Sequence, residues 1–266
     1  MNDKKQPFLN NVVVITGAST GIGRELALQL AAQGAWLSLA ARNAENLDNV
    51  AKQCLQRGGK ALVMPTDVSD QSQCENLIES TLEEYGRIDT LVNNAGVGSS
   101  ARFDQLTDIP IFEKVIQVNF YGCVYCTYYA LPYLKETRGR LVGISSLAGK
   151  IARPKSSSYS ASKHAMVGFF DALRIELSKN GVSVTVICPG WVTTGISSRA
   201  IGADGKPLGK VFDIEERAMP VETCSRMIVQ AMAKRKREVV MTLQGKVGLW
   251  LKLFAPGVVD RVAEKN

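Results

Sequence analysis

Tyr159 and Lys163 stand four residues apart in the stretch Ser158-Tyr159-Ser160-Ala161-Ser162-Lys163. On a helix that spacing puts both on one face. Ser146 lies thirteen residues before Tyr159, just after the run Arg140-Leu141-Val142-Gly143-Ile144. A phenol titrates near ~10 in water and is a poor acid or base at neutral pH. A Lys cation beside it favours the phenolate and draws the value toward working pH. With a hydroxyl converging on the same place, these groups make a proton-transfer device that needs a partner to move electrons. Alone, a Tyr-x-x-x-Lys pair is also what a solvated helix face looks like. Its weight comes from the rest of the chain.

The N-terminal part supplies the partner. Asn11 to Thr16 is apolar and β-branched, a buried strand. The segment Gly17-Ala18-Ser19-Thr20-Gly21-Ile22-Gly23 follows at once, then a helical pattern from Arg24 to Gln33, then a second strand from Ala35 to Ala41. A glycine turn between a strand and its helix lets backbone N–H groups approach a pyrophosphate, and the helix N-terminus favours its charge. About twenty residues further on, an acid would hold the adenine ribose and favour NAD(H). The chain has Ala40-Ala41-Arg42-Asn43 there, so Arg42 suits a 2′-phosphate and NADP(H) is preferred, NAD(H) less so. Asp67 and Val68 follow the third strand, where an adenine ring would lie. Asp67 either accepts from the exocyclic amine or opens the turn before Ser69.

Strand and helix patterns go on alternating. Helices are expected at 44–57, from Ser69 or Asp70 to Tyr85, and at 111–134, 157–180 and 221–234. Strands are expected at 61–64, 88–92, 141–144, 182–188 and 238–243. Seven strands separated by helices predict an α/β chain: a Rossmann fold with a doubly wound seven-stranded parallel sheet and helices on both faces. No linker or internal repeat breaks residues 1–266, so a single domain is expected, with a core at 10–243.

Composition narrows the classes. Of 266 residues, 45% are hydrophobic and 21% charged, which argues against disorder. The net charge of +7 is spread out except at Lys234-Arg235-Lys236-Arg237. No aromatic-interleaved basic stripe suggests nucleic acid. Six scattered cysteines in apolar company read as reduced thiols, and one histidine makes zinc ligation a poor fit, so no metal is expected. Cys123-Val124-Tyr125-Cys126 has redox-motif spacing but falls mid-helix. Met1 to Asn10 has no signal-peptide apolar core and no run is long enough to span a bilayer; the reading is a cytoplasmic protein.

Together these motifs resemble the short-chain dehydrogenase/reductase family over about residues 10 to 240, and its hydroxysteroid-dehydrogenase-like branch through Ser146-Leu147-Ala148-Gly149-Lys150. Thr16-Gly17 to Gly23 resembles the cofactor motif, Asn93-Asn94-Ala95-Gly96 the sheet-stabilising motif, and Pro189-Gly190-Trp191-Val192-Thr193-Thr194 the nicotinamide-side motif. Asn119, Ser146, Tyr159 and Lys163 match the catalytic tetrad. The resemblance implies that Tyr159 gives or takes the proton, Lys163 lowers its pKa and binds the nicotinamide ribose, Ser146 orients the substrate oxygen, and Asn119 holds a water. It implies cofactor contacts at Gly17, Ser19, Thr20, Gly21, Ile22, Gly23, Arg42, Asp67, Val68, Asn93, Ala95, Gly96, Tyr159, Lys163, Pro189, Gly190, Val192 and Thr194. Ser145 is the rival to Ser146, which the thirteen-residue spacing favours.

The expected activity is NADP(H)-dependent hydride transfer on a carbonyl/secondary-alcohol pair. A lipophilic, steroid-like ketone competes with a 3-oxoacyl thioester as substrate. A nucleotide-sugar epimerase reuses Tyr-x-x-x-Lys but resembles longer chains. A non-catalytic NADPH-binding regulator has no use for an intact tetrad. The resemblance also implies a substrate lid at 195–219, in which 202–207 reads as a mobile loop. It further implies a homodimer or homotetramer through the helices at 111–134 and 157–180, where Phe120, Tyr121, Tyr125, Tyr128 and Tyr129 cluster. The tail at 246–266 alternates apolar residues with Lys and Arg; it is expected either as a peripheral membrane contact or as a helix packed on the body or a second subunit.

Overall fold

The computed structural model describes residues 6–209 and 218–264. Seven strands, β1 (Val12–Thr16), β2 (Trp36–Ala41), β3 (Lys60–Pro65), β4 (Thr90–Asn93), β5 (Arg140–Ile144), β6 (Ser183–Cys188) and β7 (Glu238–Val240), form one sheet in the order β3-β2-β1-β4-β5-β6-β7. All pairings are parallel. A parallel sheet is covered on both faces, which is why β1 is a continuous apolar run with every residue buried.

Helices α1 (Gly21–Ala31), α2 (Ala44–Gln56) and α7 (Val221–Ala233) cover one face with Leu26, Leu30, Leu47, Val50 and Ile228. Helices α3 (Gln71–Tyr85), α4 (Pro110–Ile116), α5 (Gly122–Glu136) and α6 (Ser157–Glu176) lie on the other, where Leu77, Cys126, Leu134 and Phe170 pack together. Local chemistry sets the ends: Asn43 Oδ1 accepts from Asn46 N–H at 2.7 Å at the start of α2. Asp70 caps α3, and Gly86 ends it in the left-handed region. Gly143 of β5 gives Phe170 its place, since a Cβ there would lie 2.6 Å from the ring.

Strand order reverses between β1 and β4, so the connections diverge and a crevice opens beyond the carboxyl ends of the strands. The predicted site loops leave carboxyl ends, 17–23 after β1, 42 after β2, 67–68 after β3, 94–96 after β4, 145–146 after β5 and 189–194 after β6, while Asn119, Tyr159 and Lys163 sit on helical segments.

Two elements differ from expectation. The long helix at 111–134 is broken by a π turn, Gln117–Tyr121, between α4 and α5. The last strand stops at Val240, and the tail forms α8 (Leu243–Phe254) and α9 (Pro256–Glu264). The Thr242 hydroxyl caps α8 by accepting from Gly245 N–H at 3.0 Å, which ends the extended run. Within the expected lid, 202–207 is a closed turn: Gly202 N–H donates to Lys206 C=O at 2.8 Å, and Thr107 N–H to Ala203 C=O at 3.1 Å. Residues 210–217 of that lid lie outside the described residues.

Candidate active site

Helix α6 carries Tyr159 and Lys163 one turn apart, and the loop after β5 carries Ser146. The Ser146 hydroxyl accepts from Ala148 N–H at 3.1 Å and lies near enough to the Tyr159 phenol to favour its phenolate. Ser145 is turned the other way: it is buried and donates to Lys163 C=O at 3.1 Å, bracing α6 against β5. Ser146 is therefore the hydroxyl that meets the phenol.

Lys163 is buried, and its Nζ donates to Ile144 C=O at 2.9 Å and sits 5.9 Å from the Tyr159 ring centroid. Burial depresses its pKa to about 8. Beside it, Gly96 keeps the floor open, because a Cβ there would lie 3.1 Å from Asn119 Oδ1 and 3.5 Å from Lys163 Nζ. Asn119 belongs to the π turn and is fully buried. Its Oδ1 accepts from Val97 N–H at 2.7 Å, and its Nδ2 donates to Val97 C=O and Ser162 Oγ, both at 3.0 Å. Single π turns inside α-helices concentrate at functional sites. Here the turn aims Asn119 at α6 while leaving Tyr121 on the outside.

The electrostatics differ from the sequence expectation. Burial pushes the Tyr159 phenol above its ordinary value, with Ser146 and the Arg153 guanidinium opposing the rise. Burial acts on both groups, raising the phenol and depressing the Lys163 ammonium to about 8, and the nearby cation that opposes the rise at Tyr159 in the protein alone is Arg153. Arg153 lies over the Trp191 ring, 4.5 Å from its centroid, and the Ser156 hydroxyl donates to its C=O at 2.9 Å.

The neighbouring cradle fits a dinucleotide. Gly17 and Gly21 have φ of +66° and +55°, conformations that side chains rarely adopt. Thr16 Oγ1 accepts from Asn94 and Ala95 N–H, both at 3.0 Å, and Asn94 Nδ2 donates to Thr16 C=O at 2.9 Å and Gly17 C=O at 3.1 Å. The loops after β1 and β4 are thus fastened together, and α1 begins at the cradle with no acidic residue in its first turn to answer its N–H groups. Ser19, Thr20 and Ile22 lie on this loop. Pro189 C=O accepts from Leu147 N–H at 2.8 Å, which brings 189–194 beside Ser146. Arg42 stands exposed at the end of β2, with no ion pair among the described residues. Asp67 opens the turn before α3 with one of its two carboxylate oxygens, Oδ1 accepting from Ser69 N–H at 3.0 Å and Ser69 Oγ–H at 2.6 Å. All six cysteines are buried free thiols; burial raises those at Cys123 and Cys188 to about 12, so neither is a ready thiolate. Among the described residues no cluster could hold a metal.

Residues 11–203 match the short chain dehydrogenase family. The chain belongs to that family. Within it, this short-chain dehydrogenase falls in the hydroxysteroid-dehydrogenase-like branch: it is 35% identical to 11-beta-hydroxysteroid dehydrogenase-like 4A of Arabidopsis thaliana, over 96% of this chain and 84% of that one. Levodione reductase superposes with a TM-score of 0.80 at 26% identity, covering 90% of this chain and 99% of the other. An alcohol dehydrogenase of Thermococcus sibiricus, solved with 5-hydroxy-NADP, gives 0.74 at 28% identity over 86% and 94%. The chain is therefore an oxidoreductase of alcohol/ketone pairs, and its family uses a nicotinamide cofactor.

Arg153, Arg199 and the π turn of this short-chain dehydrogenase are site features beyond those expected from the sequence. The first had a visible signal, a cation inside the Ser146–Tyr159 spacer. Arg199 and the π turn had none, because what matters about them is contact across the chain.

Proposed function

We propose that the protein is an NADP(H)-dependent reductase/dehydrogenase of lipophilic ketones and secondary alcohols, with Tyr159 as the proton donor or acceptor. The observation that carries this reading is Tyr159 one helical turn from buried Lys163, whose Nζ lies 5.9 Å from the phenol ring centroid, with Ser146 and Arg153 near enough to act on the phenol's charge. The cofactor, when bound, supplies or accepts hydride at its nicotinamide. Ser146 orients the substrate oxygen toward the phenol, which stays protonated at neutral pH and so is ready to donate in reduction. Lys163 has donor capacity beyond Ile144 C=O for a ribose hydroxyl. The side-chain amide of Asn119 is committed to Val97 and Ser162, so a water held there meets the main chain of the π turn. The cradle residues from Gly17 to Gly23, with Asn93, Ala95, Gly96, Val68, Pro189, Gly190, Val192 and Thr194, bind the dinucleotide. The NADPH absorbance assay with a steroid ketone, a 3-oxoacyl thioester, an aromatic ketone and an aldehyde tests the reading. A preference for the thioester would replace the steroid-like assignment, which draws on the relatives' names and on Val97, Leu147 and Trp191 around the tetrad.

NADP(H) preference rests on exposed, unpaired Arg42. A charge-assisted bond to the 2′-phosphate is worth about 1.5–3 kcal/mol. Arg42→Ala should lower the NADPH/NADH affinity ratio by roughly tenfold or more, read by nicotinamide fluorescence titration. An unchanged ratio removes Arg42 from the cofactor site.

The same reading takes 1–266 as one dinucleotide-binding domain with 195–219 as its lid, located in the cytoplasm as a homodimer or homotetramer. Tyr121 and Tyr128 are exposed on the π turn and α5, and Ile175 on α6, which gives the interhelical interface a surface. Light scattering that finds only monomer at micromolar concentration would refute assembly.

The tail adds a second surface. Gly245 and Gly248 bring α8 close to Leu147 and Ile151, and Lys252 Nζ donates to Lys150 C=O at 2.6 Å. Leu243, Val247, Trp250, Leu253 and Phe254 remain exposed, with Trp250 and Phe254 stacked 6.3 Å apart. No helix among the described residues is long and apolar enough to cross a membrane. An exposed apolar helix face next to Lys246 and Lys252 suits peripheral contact with an anionic bilayer. Arg235, by contrast, is occupied with the C=O groups of Arg138, Gly139 and Gly181. Trp250→Ser with Phe254→Ser should at least halve flotation with anionic vesicles and leave turnover of a soluble ketone intact. Equal flotation of both proteins would end the membrane proposal, and a change in mass by light scattering would assign the face to a second subunit.

A further inference from the structure

Arg199 bridges the two loops that meet over the start of α1. Its guanidinium donates to Thr194 C=O at 3.1 Å and reaches Thr20 Oγ1 at 3.5 Å, a contact between residues 179 apart in sequence. Thr20 occupies the N-cap position of α1 in an extended conformation, yet its hydroxyl makes no capping bond, so it is not spent on the helix. Gly21 follows, and a Cβ there would lie 3.1 Å from Thr194 Cβ, so the loops after β1 and β6 close on each other at this point. Arg199 is exposed, and the ion pairs of the described residues do not include it. A cation with no counter-charge therefore stands at the positive end of a helix that has no acid in its first turn. A full positive charge set against the partial positive charge of a helix N-terminus calls for an anion between them.

We propose that Arg199 grips the pyrophosphate of the bound dinucleotide and fastens the segment after Thr194 over it. This rests on the nicotinamide-cofactor reading above. The fork geometry of a guanidinium suits phosphate oxygens: of its five N–H donors, one nitrogen serves Thr194 and Thr20, and the others are available. Arg199 and Arg42 then divide the work. Arg42, at the end of β2, reads a charge that NADPH has and NADH lacks. Arg199, between the loops after β1 and β6, binds a charge that both carry.

That division gives Arg199 its own signature in binding. With the full chain, NADPH and NADH are titrated by nicotinamide fluorescence against wild type, Arg199→Gln, Arg199→Lys and Arg42→Ala. ADP and AMP then compete for the same site. Arg199→Gln should weaken both cofactors by about tenfold and keep their ratio, and should narrow the preference for ADP over AMP. Arg199→Lys should recover part of the loss, and Arg42→Ala should move the ratio instead. Binding of both cofactors within twofold of wild type in Arg199→Gln would overturn the proposal and leave Arg199 as a tie between Thr194 and Thr20. A loss for NADPH alone would also overturn it, placing Arg199 at the 2′-phosphate. An unchanged ADP/AMP preference alongside weaker binding would mark a merely structural effect. Wild type that binds neither nucleotide would strike the cofactor reading before any variant is compared.

Discussion

Tyr159→Phe lowers turnover by roughly a thousandfold or more while NADPH binds with its wild-type affinity. The phenylalanine keeps the ring and removes only the hydroxyl near Ser146, so the loss measures proton transfer, which is worth about 10²–10⁴ in rate. The pH dependence follows from the direction of the Tyr159 shift. Burial favours the neutral phenol, so reduction, which needs the proton present, should hold its rate through neutral pH and fall only in the alkaline range. Alcohol oxidation needs the proton absent and should rise with pH through the same titration. Arg153 opposes burial by favouring the phenolate. Arg153→Leu removes that cation, so the phenol pKa moves further up and both limbs shift to higher pH. The kcat/KM profile in each direction checks this. A Tyr159→Phe enzyme with more than a tenth of wild-type turnover would transfer the proton role elsewhere, and limbs that stay in place in Arg153→Leu would take Arg153 out of the electrostatics of the site.

Gly23→Ala should be the most damaging single methyl in the chain. A Cβ at Gly23 would lie 2.3 Å from Gly17 O and 2.5 Å from Asn94 Nδ2. Neither is the end of a flexible side chain: Gly17 O is main chain, and Asn94 Nδ2 is held by Thr16 C=O and Gly17 C=O. Relief requires the first turn of α1 to move off the end of β1, which opens the cradle and misplaces the N–H groups proposed to meet the cofactor's phosphates. Overpacking of this kind costs about 1–3 kcal/mol, and cofactor affinity should fall by roughly tenfold or more as the N–H groups turn away. Gly168→Ala is the control. Its Cβ would meet nothing within 4 Å on α6, and Ala is the better helix former by about 1 kcal/mol. Urea midpoints and NADPH titrations of the two variants should therefore move apart, Gly23→Ala downward and Gly168→Ala level or upward. A Gly23→Ala protein with native stability and affinity would show that α1 can retreat without disturbing the cradle.

Whatever depends on neighbours along the chain was legible in the residues alone. Apolar β-branched runs alternating with helical periods settled the parallel sheet, because strands buried on both faces have to be apolar throughout. Asn43, Asp70 and Gly86 marked helix ends through their own hydrogen bonds and φ. Four-residue spacing put Tyr159 and Lys163 on one face of α6, and glycines between β1 and α1 marked the cradle. Tertiary structure decided what depends on groups meeting across the sheet edge. Ser145 and Ser146 are adjacent in sequence, and only the packing of α6 on β5 turns one into the core and the other toward the phenol. Lys163 was the expected partner charge for Tyr159; the fold buries both groups and brings Arg153, from the spacer between Ser146 and Tyr159, up to the phenol as a second cation. Asp67 spends an oxygen on Ser69, and a π turn that no local pattern announces aims Asn119 at Ser162. The Arg199–Thr20 contact and the open apolar face of α8 likewise had no sequence signal. Spacing reports which residues share an element, while burial and charge at a site are sums over segments that only the folded chain brings together.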